Sequence, residues 1–105
     1  MGLVKEVTDQ SFQNTISTGV VMVDFWAPWC APCRMVAPVL DDLQKEMGEK
    51  VNIVKINVDD NPETATTFGI TSIPTLMIFK EGQLVDRTVG AGPKEHYKSM
   101  LSKHL

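Results

Sequence analysis

The 105-residue sequence predicts an α/β domain, a mixed five-stranded sheet flanked by four α-helices. Three observations carry this. Runs rich in β-branched and aromatic residues alternate with runs of helical period from one end of the chain to the other. The early alternation is the pattern of parallel strands with helices on both faces. The last two strand signals are separated only by Glu81-Gly82-Gln83, a Gly-containing hairpin loop, which adds an antiparallel edge.

Residues 3–7 read as a short first strand. Thr8 is placed to cap the next helix, with Val7 and Phe12 as a hydrophobic staple around it. That helix runs to about Thr18 and stops at Gly19. Residues 20–26, Val-Val-Met-Val-Asp-Phe-Trp, form the second strand. From Arg34 onward Val36, Leu40, Leu43 and Met47 recur at helical spacing, and Gly48 ends the pattern. Pro38 inside it deletes one backbone hydrogen bond and predicts a kink. Residues 51–58 are a third strand. Asn61 as cap and Pro62 at the first helical position open a short helix that Gly69 closes. Residues 75–80 and 84–89 are the arms of the hairpin. Gly92-Pro93 then opens a last helix, with Tyr97, Leu101 and Leu105 on one stripe.

Residues 1–105 read as one domain, since a chain of this length buries roughly 60–70% of its unfolded surface. It needs neither a metal nor several disulfides to fold. A net charge of −3 with both signs mixed argues against a nucleic-acid partner, which calls for a basic face. The apolar runs are too short to span a bilayer. Met1-Gly2-Leu3-Val4-Lys5-Glu6 carries a charge pair instead of an apolar signal segment, and Glu6 stands where myristoylation wants Ser or Thr. The expectation is a monomeric cytoplasmic protein that engages neither nucleic acid nor membrane.

Cys30 and Cys33 are the only cysteines, and they form a Cys-Ala-Pro-Cys unit between the second strand and the second helix. Sites in such sheets lie beyond the carboxyl ends of strands, and Cys30 sits just past one. A structural disulfide across three residues would restrict little of the unfolded chain. A zinc site needs about four ligands, and His96 and His104 stand far off without ligand spacing. In a reducing compartment a lone Cys-x-x-Cys points to redox or metal chemistry before a structural staple, and the motif with its strand-to-helix context favours redox. The reactive species is the thiolate, a few per cent of a free cysteine of pKa about 8.5 at neutral pH. A helix starting near Cys30 would favour it through unpaired N–H groups and the dipole. Pro32 suits that first turn. Cys33 lies one turn further in and less exposed, so Cys30 attacks a partner's disulfide and Cys33 resolves the mixed disulfide.

Asp24 interrupts an apolar strand six residues before Cys30. A buried carboxyl is partnered or held protonated, and a raised pKa suits it as general base for Cys33. A solvated strand-end Asp is the alternative. Lys55 interrupts the third strand in the same way, either pairing with Asp24 or snorkelling to solvent. The sequence does not reveal whether the Ile73–Pro74 bond is cis.

Together these residues resemble the thioredoxin family. Residues 23–34, Val-Asp-Phe-Trp-Ala-Pro-Trp-Cys-Ala-Pro-Cys-Arg, are similar to its active-site signature. Pro38, Asn57-Val58-Asp59, Ser72-Ile73-Pro74-Thr75 and Val89-Gly90-Ala91 also fall where the family has its landmarks. The resemblance covers nearly the whole chain. It implies a thioredoxin fold, with the sheet between two pairs of helices, and a general protein-disulfide reductase. By position, Cys30 would be the nucleophile, Cys33 the resolver and Asp24 the buried proton acceptor, with Lys55 beside it. Pro74 would be cis and face the disulfide, leaving the Ile73 backbone to pair with a substrate strand. Trp29, Ala31, Pro32, Ile73, Gly90 and Ala91 would form a flat apolar docking surface. No cofactor would be bound, and electrons would come from an NADPH-dependent thioredoxin reductase. Ribonucleotide reductase, methionine sulfoxide reductase and peroxiredoxins would be acceptors. The family's usual Cys-Gly-Pro-Cys-Lys is Cys-Ala-Pro-Cys-Arg here. Arg34 keeps the charge, while Ala31 adds a methyl group to the docking surface, which implies a shifted potential and partner fit with activity retained.

Two other readings use the same residues. An oxidant or isomerase would favour an exported setting. A non-catalytic interaction module would need neither the two cysteines nor Asp24.

Overall fold

A computed structural model describes residues 2–105, so the sequence reading of Met1 lies outside the described residues. The order of elements is β1 (Lys5–Val7), α1 (Phe12–Ile16), β2 (Val20–Trp26), α2 (Ala31–Met47), β3 (Asn52–Asn57), α3 (Pro62–Thr67), β4 (Thr75–Lys80), β5 (Gln83–Val89) and α4 (Lys94–Ser102). The sheet runs β1-β3-β2-β4-β5. The β1–β3 and β3–β2 pairs are parallel, and the β2–β4 and β4–β5 pairs are antiparallel. This is the mixed sheet that the alternation and the late hairpin predict.

Alternation along the strands divides the core into two layers. Met22, Ile53, Leu76 and Ile78 pack with Val36, Leu40 and Leu43 of α2 and Tyr97 and Leu101 of α4. Val23, Phe25, Ile56 and Phe79 face the other way, onto Phe12 and Ile16 of α1 and Phe68 after α3. In that second layer Phe12 meets Phe68 and Phe79 with ring centroids 5.5 and 5.7 Å apart. Each fully buried side chain of this size contributes roughly 1.5–3 kcal/mol. Asp24 and Lys55 are register partners on β2 and β3. Their positions alternate with Val23 and Val54, so they belong to the face that α2 covers.

The structure shifts several boundaries, each for a visible reason. Regular α1 starts at Phe12, four residues after Thr8. Thr8 and Ser11 first exchange reciprocal bonds, Ser11 N to Thr8 Oγ1 (3.2 Å) and Thr8 N to Ser11 Oγ (2.9 Å), which resembles a capping box. The helix ends at Ile16, before Thr18, where the Ser17 hydroxyl turns back to Asn14 O. α2 begins at Ala31, directly after Cys30, which caps it, and ahead of the apolar run that is regular from Arg34 onward. It continues through Pro38 to Met47. A 3-10 turn at Gly48–Lys50 delays β3 to Asn52, and the strand stops at Asn57, so Val51 and Val58 lie outside it. The hairpin loop is the two residues Glu81-Gly82, since β5 starts at Gln83. Both have positive φ, 50° and 83°, as a type I′ turn requires. Glu81 is held there by Gly19, whose N–H donates to Glu81 Oε2 (2.9 Å) and whose carbonyl accepts from Glu81 N (3.0 Å). The stripe of α4 is Tyr97, Met100 and Leu101, whereas Leu105 lies past the helix end and is exposed.

Candidate active site

Cys30 has extended backbone geometry (φ −88°, ψ 107°) and occupies the N-cap of α2, where its sulfur accepts from the Cys33 N–H at 3.2 Å. Pro32 lies in the first turn, where a missing N–H breaks no helical bond. Cys30 and Cys33 are joined as a disulfide, with Cα atoms 5.2 Å apart. Cys30 is 4% exposed and Cys33 2%. Together with Ala27 they form a small apolar cluster, against which Trp26, Val58 and Ile73 pack.

Two distant segments close over this unit. The Ile73–Pro74 peptide bond is cis, and the Ile73 carbonyl oxygen lies 3.7 Å from Cys30 Sγ. The Pro74 carbonyl accepts from Gly90 N at 2.8 Å, which ties the Gly90 segment to the Pro74 segment. Trp29 is 67% exposed, and its indole N–H donates to Asp59 Oδ2 at 3.0 Å. Arg34 donates from Nη1 to the Pro28 carbonyl at 2.8 Å, bracing the loop before Cys30. Ala31, Pro32 and Ala91 are exposed, Ile73 and Gly90 half-buried, and Pro74 buried. A groove of about 510 Å³ opens beside them between Trp29, Val58, Ile70 and Ile73.

Asp24 is 2% exposed, and its Oδ1 finds no protein hydrogen-bond partner. The solvated alternative is thereby set aside. Burial pushes its carboxyl up to about 7, with Lys55 pulling the other way and Glu6 adding to the rise. Lys55 sits beside Asp24 in register, but its ammonium lies over the Trp26 ring, 5.1 Å from the centroid. It therefore acts on Asp24 through its charge at a distance.

Asn57-Val58-Asp59 is among the segments that carry the family resemblance, but nothing in the sequence assigns Asp59 a role. The local signal is Asn57, whose Oδ1 accepts from Asp59 N at 3.0 Å in a turn that carries the carboxylate toward Trp29. Among the described residues, no group of three or more His, Cys, Asp and Glu side chains is arranged to hold a metal ion, and no helix is long and apolar enough to cross a membrane.

A disulfide at the first turn of a helix, at the carboxyl end of a central strand and beneath an exposed apolar rim, defines a thiol–disulfide oxidoreductase. A family model described as Thioredoxin matches residues 3–103. Thioredoxin of Bacillus subtilis (strain 168) is 55% identical over 105 residues, covering all of both chains. Thioredoxin of Listeria monocytogenes is 52% identical over 103 residues, 98% of this chain and all of the relative. Thioredoxin 1 of Synechococcus elongatus is 52% identical over 107 residues, again covering both chains fully. The chain belongs to the thioredoxin family, and its Cys30–Cys33 pair makes it a dithiol–disulfide reductase.

Proposed function

We propose that residues 1–105 act as one monomeric, cytoplasmic domain that reduces protein disulfides in general, with Cys30 as nucleophile and Cys33 as resolver. The observation that carries the assignment is the N-cap position of Cys30. The Cys33 N–H already points at its sulfur, and the helix dipole favours negative charge there. In the reduced protein the Cys30 thiolate attacks one sulfur of the substrate disulfide. A Cys30–substrate bond forms, and the other substrate sulfur leaves as a thiolate that takes up a proton. Cys33 then loses its proton to Asp24 and attacks Cys30 Sγ. The intramolecular disulfide forms and the second substrate sulfur departs reduced. A carboxyl with a pKa near 7 can accept and return that proton at neutral pH, and Lys55 tunes it by charge.

Trp29, Ala31, Pro32, Ile73, Pro74, Gly90 and Ala91 form the docking surface, with the Ile73 backbone pairing with an extended substrate segment. No cofactor is bound. Electrons reach the disulfide from NADPH through a thioredoxin reductase and pass to acceptors such as ribonucleotide reductase, methionine sulfoxide reductase and peroxiredoxins. Family membership supports this reading over an oxidant, and the two adjacent sulfurs support it over a binding module.

Trapping tests it. Cys33→Ser should accumulate a covalent mixed disulfide with oxidised insulin, visible by mass spectrometry. Cys30→Ser should neither trap insulin nor reduce it. Insulin reduction by the Cys30→Ser protein at the wild-type rate would sink the assignment.

A further inference from the structure

Tyr97 enters the sequence reading only as a core residue of α4, and its ring does fill the layer between α2 and the sheet. Its hydroxyl has no part in that packing. Tyr97 is 0% exposed, and its Oη donates to the Gly90 carbonyl at 3.2 Å. The same residue, Gly90, donates its N–H to the Pro74 carbonyl at 2.8 Å. A continuous chain thus runs from α4 through Gly90 to Pro74, next to the Ile73 carbonyl that faces Cys30 Sγ. Gly92 closes over the same junction. A Cβ there would stand 3.5 Å from Tyr97 Oη and 3.3 Å from His96 Cδ2. His96 is itself held by Thr88 Oγ1 at 3.1 Å from Nε2.

We infer that Tyr97 is a positioning residue for substrate docking: its hydroxyl fixes the Gly90–Gly92 segment against the Ile73–Pro74 segment, so that both present to a protein disulfide at once. The inference rests on the reading of Gly90, Ala91, Ile73 and Pro74 as docking residues. Gly90 has φ 93°, so its own backbone gives little preference for the bound conformation, and an external hydrogen bond is what selects it. Burial raises the Tyr97 phenol above its ordinary value, against a pull from the Gly92 backbone, so it stays protonated and able to donate. A small disulfide needs only the sulfur of Cys30. A protein substrate also needs the two backbone segments at a fixed separation, so the hydroxyl should act on one and not the other.

Tyr97→Phe keeps the ring and removes only the hydroxyl. The test compares reduction of insulin with reduction of a small aromatic disulfide, 5,5′-dithiobis(2-nitrobenzoate), using the full chain recycled by dithiothreitol. Loss of one neutral hydrogen bond should raise the insulin KM about two- to tenfold with kcat unchanged. The small-disulfide rate should stay at the wild-type value. Gly92→Ala, which presses on the junction from the other side, should raise the insulin KM in the same sense. It carries the comparison should Tyr97→Phe fail to fold. An unchanged insulin KM in both variants overturns the inference and leaves Tyr97 as core filling. Equal slowing toward both substrates overturns it as well, since the hydroxyl would then act on the disulfide chemistry. A wild-type protein that exchanges with the small disulfide but not with insulin overturns the docking reading and this inference with it.

Discussion

Asp24 is a residue whose cost to the fold is tied to its proposed use. Its ordinary value is 3.8, and burial in the folded protein lifts it to about 7. Below about pH 4 the carboxyl is protonated in both folded and unfolded chains. As pH rises from about 4 to 7 the unfolded chain releases its proton while the folded one keeps it, so stability falls across that window. Above it the penalty is complete, on the order of 4 kcal/mol. Asp24→Asn removes the ionisation and nearly preserves the shape. Denaturant unfolding should show this variant more stable than wild type by roughly 2–4 kcal/mol at pH 8 and close to wild type at pH 4. In stopped flow, resolution of the mixed disulfide should slow and lose its inflection near pH 7, while attack by Cys30 is spared. Identical resolution rates across pH would remove Asp24 from the mechanism. Asp24 was legible because a carboxylate in Val-Val-Met-Val-Asp-Phe-Trp breaks a pattern that needs only local sequence to see. Lys55 was half-legible. The strand pattern leaves it open between pairing with Asp24 and snorkelling, only the family resemblance puts it beside Asp24, and its lean over Trp26 depends on a ring that only the folded register puts there.

Elements were most legible where their signals are local, as with the strand of residues 20–26, which has the boundaries the sequence predicts. The cap of α3 is the opposite case. The sequence points to Asn61, but the Asn61 side chain makes no capping bond and instead accepts from Asp9 N at 2.9 Å. The capping carboxylate comes from Asp9, which accepts from Glu63 N (3.2 Å), Thr64 N (2.9 Å) and Thr64 Oγ1 (2.6 Å). A partner 55 residues away leaves no trace in local spacing. Burial pushes the Asp9 carboxyl up, yet the Thr64 and Glu63 donors outweigh it and hold the group below its ordinary 3.8. Its contribution is therefore present above that value and lost as pH falls through the lower folded pKa. Asp9→Ala should lower Tm by about 3–8 °C at pH 7. The difference from wild type should close in acid as the native carboxylate is protonated. Because α3 supplies Pro62, Ala65 and Thr66 to the groove beside Trp29, the same variant should loosen that wall first. Amide exchange would show this as lost protection at residues 63–68 ahead of the sheet. Uniform loss of protection would mean that the cap supports the whole fold and not this helix.

At the scale of the whole molecule, the sheet order brings residues 30, 73 and 90 to one end, and no short window of sequence contains them together. This is why the cysteines could be read from spacing, whereas the docking roles proposed for Ile73, Pro74, Gly90 and Ala91 rest on the family resemblance. The same assembly links folding to redox state through a thermodynamic cycle. A disulfide closing a loop of residues 30–33 removes unfolded-chain entropy worth about 2 kcal/mol. Oxidised protein should thus resist urea more than protein held reduced, by about 2 kcal/mol. Around the cycle, that energy must reappear as a difference in the tendency of the cysteines to become oxidised. The folded dithiol should give up its electrons more readily than the same dithiol in the unfolded chain, by about 40 mV. Equilibration with a glutathione buffer, with and without 8 M urea, measures that difference independently of the unfolding curves. A folded dithiol harder to oxidise than the unfolded one would mean that native contacts favour the reduced state by more than loop closure opposes it. The fold would then be working against reduction of a partner, which is the behaviour of an oxidant.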